Sequence, residues 1–208
     1  MNGAVHTARS AVVAVALIAS TAFAQETSAL ASRLDKPTYV AVTAIVDSAR
    51  AAKLPTKPLL DKALEGSARG FDGPTIVTAV QQQWVRMGAA KQGLGASTSP
   101  DEIRAGLAAL EAGVSVRDLA RLRAASGKRS VTMSLAVLAD LIARSVPVPT
   151  ATDLMLQLTR AGIRDGDLST FQRNVRADID RGADPTAAAT TRARGIIRGA
   201  EPKPSGLE

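Results

Sequence analysis

Apolar residues return at helical spacing along most of this chain: Ile76, Val80, Trp84 and Met87; Ile103, Leu107 and Leu110; Leu168, Phe171, Val175 and Ile179. No segment sustains the strict alternation of a half-buried strand, so the pattern predicts an all-α fold. Eight or nine short helices are expected, at about 38–52, 57–69, 74–90, 100–112, 116–126, 131–144, 151–161, 166–181 and 186–197. The stretch at 131–144 differs from the rest. Val131, Leu135, Leu138, Leu141 and Ile142 form one stripe, while Met133, Val137 and Ala139 fill the other sides. A helix apolar nearly all round is buried at the centre of a domain, and this one is too short to span a bilayer, which needs about 20 residues.

The breaks between helices share a local grammar. A glycine is followed by one apolar residue and then by a capping residue or proline: Gly70-Phe71-Asp72-Gly73-Pro74, Gly113-Val114-Ser115, Gly162-Ile163-Arg164-Asp165 and Gly182-Ala183-Asp184-Pro185. Lys53-Leu54-Pro55-Thr56 and Ser145-Val146-Pro147 repeat it without the glycine. Glycine takes the left-handed position that closes a helix, and the apolar residue folds back onto the last turn. Thr56, Asp72, Ser115, Thr150 and Asp184 are then placed to accept from free N–H groups of the next helix, with Pro74, Pro100 and Pro185 in its first turn. Ser99 with Glu102 three residues later is a capping box. Further breaks are expected near Gly93 and Gly127.

The recurrence of one helix plus one turn leaves two architectures open, an irregular bundle around the 131–144 helix or a short α-solenoid. Over roughly residues 50–190 the chain resembles a loose group of exported, alanine-rich helical bacterial proteins that carry turns of the Leu54-Pro55 kind. That resemblance implies a helical fold and an exported protein, and brings no activity with it.

The N-terminus changes the picture of where the protein works. Arg9 precedes an apolar run from Ala11 to Ala22, and Ala22-Phe23-Ala24 gives a small-residue cleavage pattern, so residues 1–24 are expected to be a signal peptide. Residues 25–37 are then a loose lead-in, 38–198 a single helical domain and 199–208 a disordered tail. Cleavage removes one basic residue and no acid from a chain with 26 basic and 19 acidic residues, leaving +6. The expected location is the periplasm or the exterior, with no transmembrane segment after cleavage. With no cysteine anywhere, stability must come from the core and not from disulfides.

Candidate chemistry is narrowed chiefly by omission. The only histidine, His6, lies in the segment expected to be removed. Ser-His-Asp and Cys-His mechanisms, zinc sites built from His or Cys, His-held haem and thiol redox chemistry all lack their residues in the mature chain. No phosphate-binding loop of the G-x-x-x-x-G-K-[ST] type occurs, and Gly93 and Gly95 are followed by Thr98 where a dinucleotide fingerprint needs its third glycine. Asp165, Asp167 and Ser169 resemble the opening of a calcium loop, but Thr170 and Arg176 stand at its glycine and bidentate glutamate positions. Helix capping by Asp165 or Asp167 is the simpler account. No cofactor, metal or catalytic residue is therefore expected. Glu65, Glu102 and Glu111 are candidates for the acid of a sugar-cleaving site, but such sites pair two carboxylates across a cleft. Asp140, within the apolar helix, has Arg144 one turn later as a partner.

Much of the basic excess falls near helix C-termini, where the dipole favours it. Two clusters remain as candidate anion-binding groups: Arg117, Arg121, Arg123, Lys128 and Arg129, and then Arg192, Arg194 and Arg198 with Lys203. The chain is expected to be a non-catalytic helical module of the cell envelope with a protein partner. The alternatives are a binder of anionic lipid or lipopolysaccharide through the basic clusters, and a carboxylate-based hydrolase. Nucleic acid is the least suited anion, since aromatic residues to stack bases make up only 2% of the chain.

Overall fold

The computed structural model describes residues 30–96 and 98–200. The expected signal peptide and cleavage site, residues 25–29 of the expected lead-in and Lys203 lie outside them. The described chain is all-helical and has no strands, as the periodicity predicts. A turn of helix at residues 30–33, α1, is followed by α2 (Lys36–Ala51), α3 (Lys57–Ala68), α4 (Gly73–Leu94), α5 (Pro100–Glu111) and α6 (Val116–Ser126). Then come α7 (Thr132–Ala143), α8 (Val148–Arg160), α9 (Asp165–Asp180) and α10 (Pro185–Ala200). No described helix is long and apolar enough to cross a membrane.

Two expected boundaries shift. Part of the lead-in is helical, and Leu30 is only 1% exposed. Asp35 then caps α2 by accepting from the Thr38 N–H at 2.8 Å, with a proline in the first turn. At the other end α10 runs through Gly199 and Ala200, which were expected to begin the tail.

Residue contacts divide the chain into two compact units, Met1–Trp84 and Val85–Glu208, and the division falls inside α4. The first unit packs α2 against α3 over Val42, Val46, Ala49, Leu59, Leu60 and Ala63, none more than 1% exposed. Gly66 lets Ile76 of α4 approach, since a Cβ on it would meet Ile76 Cγ1 at 2.9 Å. Gln83 Nε2 donates to the Pro58 carbonyl at 2.9 Å.

In the second unit each helix packs on the helix two places further along. α5 contacts α7 and α7 contacts α9; α6 contacts α8 and α8 contacts α10. The two rows meet where α7 touches α8 and α9 touches α10. The helices of this unit thus pack as a bundle of two rows. Helix α7 has the central place predicted for it, against α5, α8 and α9, with Leu135, Val137, Leu138 and Leu141 all 0% exposed. Asp140 within it pairs with Arg144 at 3.1 Å.

The turn grammar is physical. At Lys53, Gly70, Gly113, Ser145, Gly162 and Gly182 the backbone takes positive φ. In each case its N–H and the next one bond back to the preceding helix, as in Gly162 N–H to Thr159 and Ile163 N–H to Leu158, both at 3.1 Å. These are Schellman motifs, and the following Leu54, Val114, Val146 and Ile163 are buried. Phe71, at 52% exposed, and Ala183 are the exceptions. The next residue but one then serves as N-cap: Asp72 accepts from Thr75, Ser115 from Asp118 and Asp184 from Ala187.

Three local expectations are corrected. Gly93 lies inside α4, and the break comes at Gly95, with φ of 95°. Thr150 is not a cap, because α8 starts at Val148 with Pro147 at its N-cap, and Thr56 makes no side-chain cap bond either. Asp165 and Asp167 sit within the first turn of α9, where Arg164 is the N-cap and no side chain caps the helix. The Gly162-Ile163 closure leaves one extended residue before the next helix, and that residue is Arg164.

Candidate functional site

Three members of the first basic cluster, Arg123, Lys128 and Arg129, meet at the loop between α6 and α7. There Glu102 of α5 is buried, with 7% of its side chain exposed, and must have partners to remain charged. Its Oε1 accepts from the Val131 N–H and from Arg123 Nη1, both at 3.0 Å. Its Oε2 accepts from the Ser99 N–H at 3.1 Å, and the Ser99 hydroxyl accepts from the Glu102 N–H at 3.2 Å, so the capping box is formed. Burial pushes the Glu102 carboxyl up, but the Val131 and Ser99 N–H groups and the Arg123 charge outweigh it and hold the pKa below its ordinary value. Glu102 is thus an ionised staple between the start of α5, the end of α6 and the start of α7.

Arg123 completes the knot by donating to the Gly127 carbonyl at 2.8 Å and to the Arg129 carbonyl. Arg129 in turn reaches across to α8, donating to the Thr159 carbonyl at 2.8 Å and to the Ile163 carbonyl at 3.4 Å. A cation on the last carbonyls of a helix both satisfies them and opposes the dipole. Lys128 of this loop is exposed and enters no ion pair among the described residues, beside a cleft of about 660 Å³ that also borders Glu102 and Arg123.

The other candidates are placed separately. Arg121 pairs with Asp118 at 2.9 Å and lies 3.9 Å from Asp153, while Arg117 is exposed on the same helix. In the second cluster Arg192 grips Asp178 through Nε at 2.6 Å and Nη2 at 2.9 Å, tying α10 to α9. Hydrogen bonding from Arg192 holds the Asp178 carboxyl below its ordinary value. Arg194 is exposed, and its carbonyl accepts from Arg198 Nε at 3.4 Å. The structure therefore gathers Arg123, Lys128 and Arg129 in one loop, and uses Arg123, Arg129 and Arg192 to hold helices together.

Glu65 is engaged on the surface by Lys62 at 2.9 Å and Arg69 at 2.7 Å, and Glu111 is exposed at the end of the same helix as Glu102. Among the described residues no group of three or more His, Cys, Asp or Glu could hold a metal ion.

On the other side of the loop lies a cleft of about 620 Å³, bordered by Arg129, Ser134, Thr159 and the Arg164–Gly166 start of α9. Ser134 and Thr159 are 5% and 3% exposed. The sequence pattern gave no sign of these two, since a lone hydroxyl on a helix reads as neutral. No known protein family matches the chain, and no curated protein or solved structure is significantly similar to it.

Proposed function

We infer that this is a non-catalytic, exported helical module that holds a protein partner in the cell envelope. The observation that carries this reading is the side-by-side stacking of α5, α7 and α9 and of α6, α8 and α10. Rows of helices make extended surfaces of the sort that repeat proteins use for binding. The row of α5, α7 and α9 carries exposed alanines, Ala108, Ala136 and Ala177. Such short side chains lose almost no rotamer freedom when a partner covers them. Export rests on the Ala11–Ala22 run and its Ala-x-Ala pattern, and on a chain that needs no cysteine.

The test is recovery of the tagged mature chain from its own envelope with low- and high-salt washes, beside the variant Ala136→Arg. A defined companion that survives high salt and is lost in Ala136→Arg supports the reading. A companion indifferent to that variant and to Ala108→Arg, or none at all, overturns it.

A second reading, binding of anionic lipid or lipopolysaccharide, is favoured by Arg117, Lys128 and Arg194, which are exposed and enter no ion pair among the described residues. It requires affinity for anionic vesicles that falls with salt and with the triple change of these residues to Ala.

A further inference from the structure

The 620 Å³ cleft beside the α6–α7 loop has a composition that the packing of the helices does not explain. Its size is that of a small-molecule site. The Thr159 hydroxyl is buried and has no hydrogen-bond partner, and Ser134, 95% removed from solvent, makes no hydrogen bond with any described residue. A buried hydroxyl without a partner is unfavourable, so Thr159 on the border of this cleft points to a group that is to be received there.

The start of α9 opens on the same cleft. Arg164 at its N-cap offers no acceptor, so the amide N–H groups of the first turn are uncapped. Gly166 in that turn is helical, and a Cβ there would meet nothing within 4 Å. Neither backbone strain nor crowding asks for glycine. Its effect is to leave the amides bare to an approaching group. Arg129 adds positive charge, held in place by its bonds to Thr159 and Ile163. Asp165 adds a carboxylate that forms no ion pair among the described residues.

We propose that this cleft binds a small zwitterion of the α-amino acid class, with its carboxylate on the α9 amides and the Ser134 and Thr159 hydroxyls and its ammonium toward Asp165. The lining of both signs selects this class. A dianion such as phosphate would be repelled by Asp165, and a simple cation by Arg129 and Arg164. A zwitterion gives every unpartnered group of the cleft a complement.

The experiment is calorimetric titration of the full mature chain with glycine, alanine, glutamate and arginine, with acetate, methylammonium and inorganic phosphate as controls. Saturable binding of at least one amino acid, tighter than any control, is expected. Gly166→Val fills the open space over the amides, and Asp165→Asn removes the ammonium partner. Each is expected to lower affinity about tenfold or more, the loss of a hydrogen bond to a charged group. Ser134→Ala weakens binding by a smaller factor and guards against a folding defect in Gly166→Val. Thr159→Val keeps shape and removes the unpartnered hydroxyl, so it should raise the midpoint of thermal unfolding in the free protein while weakening binding, a pair of effects that a purely structural hydroxyl does not give. The proposal is overturned by no amino-acid binding, by acetate or phosphate binding as tightly, or by binding indifferent to Gly166→Val and Ser134→Ala alike.

Discussion

Ser145 closes α7 with φ of 69°, a conformation that side chains with a Cβ resist. Four of the equivalent positions are glycine. Ser145→Gly should therefore stabilise the fold by about 0.5–1 kcal/mol, the left-handed strain relieved less the extra chain entropy of glycine. Gly162→Ala, at φ of 74°, should destabilise it by about 1–2 kcal/mol. Urea unfolding of both variants checks the pair. At Glu102 the prediction concerns pH. The carboxyl titrates below its ordinary 4.5 when folded, so the folded state gains stability above that value and loses it as pH falls through the lower, folded one. Glu102→Gln keeps the shape but leaves Arg123 without its charge partner, and should cost about 1–3 kcal/mol at neutral pH. The difference from the parent should shrink as pH drops below about 4.5. A difference that stays constant from pH 7 to pH 3 would show that Glu102 does not contribute as a charge.

At the scale of the helix, close approach sets the packing of the second unit. A Cβ on Gly93 of α4 would meet the Val116 carbonyl oxygen at 2.9 Å and Leu119 Cβ at 3.2 Å. Backbone cannot turn away as a side chain can, so Gly93→Ala should destabilise by about 1–3 kcal/mol. Gly88, in the same helix with open space around it, is the control: Gly88→Ala should stabilise by about 0.5–1 kcal/mol through helix propensity alone. Thermal unfolding followed by circular dichroism distinguishes the two. Leu138 of α7, 0% exposed, should cost about 2–5 kcal/mol when cut to Ala.

At the scale of the whole molecule the net charge of +7 suggests a polyanion binder more strongly than the placement of the charges does. Within the two clusters Arg121, Arg123 and Arg192 are in ion pairs, and Arg129 is on helix carbonyls. If the clusters meet a polyanion, Arg117, Lys128, Arg194 and Arg198 are the contacts at hand among the described residues. The logarithm of affinity for heparin should then fall with the logarithm of salt at a slope no steeper than about four, near one for each cation engaged. A steeper slope would show that the intramolecular pairs open on binding.

The sequence alone determined the helices and their joints, because these depend on contacts within about six residues. Apolar spacing places the helices, and Gly70, Gly113, Gly162 and Gly182 with the residues after them place the turns, even where Lys53 and Ser145 replace glycine. The α9 cap was misplaced by one residue at Asp165, since a short polar side chain and its neighbour look alike until the Schellman bond counts the residues between helices. Only the tertiary structure decided which helices lie side by side. It also decided that Glu102 would meet Arg123 and Val131, 21 and 29 residues away, and that Arg129 would reach Thr159 and Ile163. The same holds for the cleft at Ser134 and Thr159: a buried hydroxyl is known to lack a partner only when every neighbour has been placed around it.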